Sequence, residues 1–199
     1  MFELVKSIQK RDPAQPTFLE VVFAYNGFHA VLLHRFNHVV WELGLRAFAR
    51  AFANIARMFT GIEIHPQAEI GQGLFIDHGN GVVIGQTAVI EDGVTIYHGV
   101  TLGGVGRQGA VDGKRHPTIK RGAIIGAGAQ VLGDITVGEC AKVGANSVVT
   151  ADVPDHATAL GIPARIVGGD DRARGYGMPS LVEMETLVTT LDCVMVEMA

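Results

Sequence analysis

Aliphatic residues recur every six positions through the middle of the chain. Ile64, Ile70, Ile76, Ile84, Ile90, Ile96 and Leu102 form one run, with two extra residues between Ile76 and Ile84. Ile119, Ile125, Val131, Val137, Val143 and Val149 form a second. The residue four further on is usually small or aliphatic, as at Ala68, Leu74, Ala88, Val94, Val100, Ala123, Ala129, Ile135, Ala141, Ser147 and Val153. This period is neither the 3.6 of a helix nor the plain alternation of an isolated strand. It is the hexapeptide period of a parallel β-helix, in which each short strand turns one aliphatic side chain inward and stacked coils bury a continuous column. Three strands close a coil of roughly 18 residues, so residues 62–153 predict about four to five coils.

Two interruptions break the register. Asp77-His78-Gly79-Asn80-Gly81 lengthens one turn, and the stretch from Val105 to Pro117 is a long insertion. Solenoid insertions become loops on one face, often the binding face, so chemistry is expected there. Ahead of the repeat, Phe18, Leu19, Val22, Phe23, Phe28, Val31, Leu32, Phe36, Val39, Val40 and Leu43 recur at three and four and predict helices. A second helix is predicted from Leu45 to Phe59, with Arg46, Arg50 and Arg57 along it. Trp41, His29, His34 and His38 read as packing groups. Past Gly161-Ile162-Pro163-Ala164 the period ends; residues 168–177 read as a linker and 181–198 as an amphipathic helix. The expected organisation is a helical domain over 1–60, a β-helix over 61–167 with an extended loop 105–117, and a tail over 168–199.

Composition narrows the function classes. The 26 glycines among 199 residues are nearly twice the usual frequency and suit repeated tight turns. Sixteen Lys and Arg against 20 Asp and Glu leave a net charge of −4, which argues against capture of nucleic acid or an anionic membrane. Hydrophobic residues at 48% with only 18% charged suggest extra surface buried between subunits. Cys140 and Cys193 lack metal or redox spacing, read as buried small apolar residues and fit a reducing cytoplasm. No apolar run is long enough to export the chain or span a membrane.

Candidate chemistry centres on His65, His78, His98 and His116. Convergent imidazoles suit a metal shared between subunits, and a single one suits a general base. Glu63 precedes His78 by nearly one coil, and a carboxylate stacked on an imidazole fixes its tautomer and stabilises the imidazolium. Arg115-His116 offers a guanidinium fork and a second donor, suited to a small carboxylate. Asp77, and Asp12 in Arg11-Asp12-Pro13-Ala14, suit an ammonium group. Together these fit an amino acid whose hydroxyl is activated; a different acceptor, a zinc hydratase and a non-catalytic scaffold remain competing readings.

Several motifs jointly resemble one family. Gly61-Ile62-Glu63-Ile64-His65-Pro66, Ile76-Asp77-His78-Gly79-Asn80-Gly81, Gly85-Gln86-Thr87-Ala88-Val89-Ile90, Val100-Thr101-Leu102-Gly103-Gly104, Arg115-His116-Pro117 and Gly161-Ile162-Pro163-Ala164-Arg165 look like serine O-acetyltransferase. The likeness extends back through Gly27-Phe28-His29-Ala30 to Arg11, covering roughly residues 11–167. It implies a left-handed parallel β-helix preceded by a small helical domain, assembled as trimers with the active site between neighbouring β-helices. The implied reaction makes O-acetyl-L-serine from L-serine and acetyl-CoA, the first committed step of cysteine biosynthesis in the cytoplasm, without a metal.

Carried over residue by residue, His78 is the general base and Glu63, where many members have Asp, orients it. Arg115 and His116 hold the serine carboxylate; Asp77 and Asp12 hold its amine. Acetyl-CoA lies against Gly104, Ala127, Lys142 and Ala145. L-cysteine is the implied feedback inhibitor. Longer members join two trimers through a larger N-terminal domain, whereas only eleven residues precede Asp12, so a trimer or a differently built hexamer is expected. Members that dock into O-acetylserine sulfhydrylase end in Ile; this sequence ends Val196-Glu197-Met198-Ala199, so the cysteine synthase complex is not expected.

Overall fold

The computed structural model describes residues 2–106 and 113–167. Four helices come first: α1 (Phe2–Arg11), α2 (Phe18–Ala24), α3 (Asn26–Glu42) and α4 (Arg46–Thr60). The first coil holds β1 (Glu63–Ile64), β2 (Glu69–Ile70) and β3 (Phe75–Ile76), and the second β4 (Val83–Ile84), β5 (Val89–Ile90) and β6 (Thr95–Ile96). The third holds β7 (Thr101–Gly103), β8 (Thr118–Ile119) and β9 (Ile124–Ile125), and the fourth β10 (Gln130–Leu132), β11 (Thr136–Val137) and β12 (Lys142–Val143). The solenoid ends with β13 (Val148–Val149), β14 (Thr158–Gly161) and β15 (Ala164–Val167).

Every third strand stacks in parallel register, which makes a prism with three faces. The first face is β1-β4-β7-β10-β13, the second β2-β5-β8-β11, and the third β3-β6-β9-β12-β14-β15. Between coils the backbone amides bond straight across, as from Glu63 N–H to Val82 O at 2.9 Å and from Thr101 N–H to Ala129 O at 3.0 Å. The terminal β14–β15 pair is antiparallel, so the chain doubles back and caps the third face.

The six-residue period maps onto the core. Ile64, Ile76, Ile84, Ile90, Ile96, Leu102, Ile119, Ile125, Val131, Val137, Val143 and Val149 are all buried, and only Ile70 of that series is half-buried. The intervening small positions are buried with them, except half-buried Ile135. Ser147, the one hydroxyl among them, is satisfied by accepting Gly161 N–H at 3.1 Å.

The helices share this core, because Leu4, Val5, Ile8, Val21, Phe28 and Val31 join the same buried cluster. Helix α1 was not anticipated; its signal was the short apolar set at positions 4, 5 and 8. Thr17 starts α2 through a capping box with Glu20, and Gly61, at φ 71°, ends α4 in the left-handed conformation and releases the chain into β1. The helical stripes on α2 and α3 are only partly core: Phe28, Val31 and Val40 are buried, but much of the rest, and the large apolar side chains of α4, face outward. Phe23, Phe36, Val39, Leu43, Phe48 and Phe59 are all more than half exposed, an apolar surface of the kind that subunit contacts cover.

Cys140 is exposed, not buried as expected: it occupies a corner with φ 52°, where side chains point away from the column. Cys193, the linker, the terminal amphipathic segment and the centre of the 105–117 loop lie outside the described residues. Among the described residues no helix is long and apolar enough to cross a membrane.

Removing one rung of the column is costly because packed neighbours cannot close the gap. Ile125→Ala is expected to lower the unfolding free energy by about 3 kcal/mol in urea titration at fixed protein concentration; a loss under about 1 kcal/mol would contradict a close-packed column. His34 of α3 is only 4% exposed. Burial, with His38 nearby, pushes its pKa down to about 4. The unfolded chain then binds more protons than the folded one between that value and about 6.5, so stability falls as pH falls through this window, by about 3 kcal/mol for this residue. His34→Gln is expected to flatten the pH dependence of the unfolding midpoint there.

Candidate active site

The chemistry-bearing residues collect at two of the three corners of the prism. The corner between the third and first faces carries Asp77 and His78 after β3, Tyr97 and His98 after β6, Ala127 after β9 and Ala145 after β12. The corner between the first and second faces carries His65 after β1, Gly85 after β4, and Gly104, Arg115 and His116 after β7. The two corners are the opposite edges of the first face. The long insertion falls on the second of them, as expected for a solenoid loop, and the two-residue insertion falls on the first.

At the third-to-first corner, His78 sits at φ 56° between Asp77 and Gly79. Its imidazole lies edge to face with the His98 ring, centroids 5.6 Å apart. The loop after α1 delivers Asp12 to the same place. Asp12 Oδ1 accepts Ala14 N–H at 2.8 Å and Oδ2 accepts the Tyr25 hydroxyl at 2.5 Å. Burial, Asp12 and Asp77 together push the Tyr25 phenol well above its usual pKa, and Tyr97 is raised to about 12 by burial, Asp77 and Asp12. The two carboxylates therefore share one neighbourhood with two neutral phenols. Neither tyrosine was singled out from the sequence, where an aromatic in a helical or strand pattern looks like core.

Arg11 anchors that loop. Its guanidinium donates to Gly93 O at 2.7 Å, Val94 O at 3.0 Å, Thr95 Oγ1 at 3.0 Å and Gly73 O, spanning two coils, and it lies 5.5 Å from the Phe75 ring centre. Burial lowers its pKa to about 10, so it remains a cation at neutral pH.

At the first-to-second corner, His116 turns back over β4. Gly85 lacks a side chain and the His116 ring fills the vacated space, since a Cβ on Gly85 would collide with it. Its Nδ1 accepts Thr87 N–H at 3.1 Å and lies 2.9 Å from Thr87 Oγ1. Burial, then Arg115 and Lys114, lower its pKa, so the ring is neutral and presents Nε2–H. Arg115 packs its stem against Gly104, and Lys114 pairs with Asp134 at 3.7 Å.

One chain does not bring all the predicted site residues together. Asp12, Asp77 and His78 share one corner and Arg115 and His116 the other. Of the expected acetyl-CoA contacts, Ala127 and Ala145 lie below His78, Gly104 lies at the opposite corner, and Lys142 lies on β12. Glu63 does not hydrogen-bond to His78; its carboxylate is taken by Arg57 of α4, at 2.9 Å. The expected stacking assumed a uniform coil, whereas α4 arrives directly beside β1 and supplies a nearer cation. A cleft of about 490 Å³ between α3 and the second face, lined by His34, Arg35, Glu69 and Arg121, holds none of the predicted residues. Among the described residues no three His, Cys, Asp or Glu side chains converge as metal ligands would.

The bacterial transferase hexapeptide family (six repeats) matches residues 116–151. A serine acetyltransferase of Mycobacterium tuberculosis is 49% identical over 191 residues, 93% of this chain and 82% of that protein. The chain belongs to the serine acetyltransferase family. Its β-helix is accordingly the left-handed one of that family, with helices ahead of it. A serine acetyltransferase of Neisseria gonorrhoeae solved in complex with serine superposes with a TM-score of 0.79 at 42% identity, covering 84% of this chain and 67% of that one. A serine acetyltransferase solved in complex with cysteine gives 0.81 at 43% identity, covering 86% of this chain and 65% of that one. The chain spans about two thirds of the length of those two structures.

Gly85→Ala is expected to expel the His116 ring from its slot and break both contacts with Thr87. In nitrogen-15-labelled protein the Nδ1 signal of His116 should move to a solvent-exposed value; an unchanged signal would show that the ring does not depend on the missing side chain.

Proposed function

We propose that this chain is a serine O-acetyltransferase that moves acetyl from acetyl-CoA to the hydroxyl of L-serine, the first step of cysteine biosynthesis, in the cytoplasm. The carrying observation is the division of complementary groups between two opposite corners of one face. An ammonium binder and a candidate base stand at one corner, and a carboxylate binder at the other. A threefold assembly in which the first faces turn inward sets one subunit's His78 corner against its neighbour's His116 corner. Such a homotrimer, or a hexamer made from two, also covers exposed apolar positions of the helices.

In this reading Asp12 and Asp77 hold the serine ammonium, while Arg115 and the Nε2–H of the neighbour's His116 hold its carboxylate. His78 takes the hydroxyl proton as the oxygen attacks the thioester carbonyl. The tetrahedral intermediate collapses with cleavage of the carbon–sulfur bond, and the imidazolium returns the proton to the departing CoA sulfur. No covalent enzyme intermediate and no metal are needed. Glu63 orients His78 after exchanging Arg57 for the imidazole. The small residues Gly104, Ala127 and Ala145 let the pantetheine approach the backbone, and Lys142 meets a phosphate. L-cysteine, with the same ammonium and carboxylate, competes for the serine site.

Thiol release from acetyl-CoA is expected to depend on L-serine, to be weak with L-homoserine, and to fall when L-cysteine is added. His78→Ala is expected to lower turnover by about 10³-fold with circular dichroism and subunit assembly unchanged. Normal turnover in that variant would overturn the mechanism, and release with a different acceptor would overturn the substrate.

A further inference from the structure

His65 and His116 occupy equivalent places on consecutive coils. Ile64 pairs with Ile84, so His65 and Gly85 are the next positions in register. Gly85 supplies no side chain and the His116 ring takes that space. His65 Nδ1 accepts Gln67 N–H at 3.0 Å, and His116 Nδ1 accepts Thr87 N–H at 3.1 Å. In both cases the donor is the amide two residues beyond the slot. A neutral ring that accepts at Nδ1 carries its proton on Nε2, so two Nε2–H donors stand about one coil spacing, roughly 5 Å, apart. Burial, then Arg50, His116 and Arg115, push His65 down to about 4, which keeps it neutral.

Each imidazole also has a guanidinium beside it. Arg115 adjoins His116, and Arg50 of α4 brings Nη1 to 3.1 Å from His65 Nε2. With Nδ1 taken by Gln67 N–H, Nε2 carries the proton, so this contact sets two donors side by side and leaves both in want of an acceptor. The His65 ring is set in orientation by Trp41, edge to face at 5.1 Å, with Arg46 5.3 Å from the Trp41 ring centre. Neighbouring cations are already paired, Arg57 with Glu63 and Lys114 with Asp134. Among the described residues no carboxylate pairs with Arg50 or Arg115.

We propose that Arg50 and His65 are a second pair of binding residues for the substrate carboxylate, extending the Arg115–His116 site across two coils. The proposal rests on the serine acetyltransferase reading. A carboxylate offers about four lone-pair directions on two oxygens and can accept from all four groups. Arg50 is the specificity-bearing member, because α4 carries it in from outside the repeat.

The test compares wild type, Arg50→Gln, Arg50→Lys and His65→Gln on L-serine and on L-serinamide, which keeps the ammonium and hydroxyl but lacks the carboxylate. For Arg50→Gln and His65→Gln, KM for L-serine is expected to rise about tenfold while kcat and KM for acetyl-CoA stay within twofold and serinamide kinetics do not change. Arg50→Lys should recover part of the loss. Equal losses on serine and serinamide would reduce the pair to a structural role and overturn the proposal. A rise in KM for acetyl-CoA instead would assign the pair to the cofactor's phosphates and overturn it as well. Wild-type protein with no serine-dependent thiol release would overturn the functional reading itself, a result separable from both.

Discussion

The stacking of one coil on the next is the constraint from which the remaining structure follows. Each short strand is bonded in parallel to the strand a full coil later, and each bond set carries one aliphatic side chain into the column. Neither part is stable alone, since a two-residue strand has too few hydrogen bonds and an isolated coil exposes its inward face. Because the backbone ladder fixes spacing along the axis, a residue at a corner has a predictable neighbour one coil above or below. That regularity turns a sequence interval into a spatial relation.

Corners are where the fold can carry function. The column tolerates only aliphatic and small side chains, whereas a corner can take a left-handed residue such as His78 or an insertion such as the loop ending at His116 without disturbing the ladder. Omitting a side chain at Gly85 makes room for an imidazole from the loop, so an absence on one coil positions a group from another. Opposite corners of a prism cannot meet within one chain. A site that needs both requires a second copy, and the proposed assembly is what would connect the split of charges to the exposed apolar helix faces.

Electrostatics at the two corners is sorted by sign. Asp12 and Asp77 stand with neutral phenols at one edge of the first face, and Arg50, Arg115 and neutral imidazoles stand at the other. An amino acid is a dipole of the same sense, and burial keeps the imidazoles as directional donors instead of mobile charges. The helices set several of these groups: α1 ends at Arg11, whose bonds across two coils hold Asp12, and α4 brings Arg50 to His65 and Arg57 to Glu63.

The solenoid, its column and its two insertions are legible in the amino-acid sequence, because a six-residue period is a local property that reports directly on a repeating backbone. The sequence also pointed to His78, Asp77, Arg115 and His116, each at or beside an insertion, and to Asp12 through the Arg11-Asp12-Pro13-Ala14 motif. What it could not supply were contacts between segments with no fixed interval. Tyr25 on Asp12, Arg50 on His65 and Arg57 on Glu63 all join the helices to the repeat, and the helical period carries no register relative to the coils. The Glu63–His78 contact expected from coil spacing is not made in this single chain for that reason: the interval suits stacking, but Arg57, a helix cation outside the repeat, holds the carboxylate. How the helices dock on the solenoid emerges from packing across the whole chain, and hydrophobic docking is non-directional, so the polar partners it brings together cannot be read from period or composition.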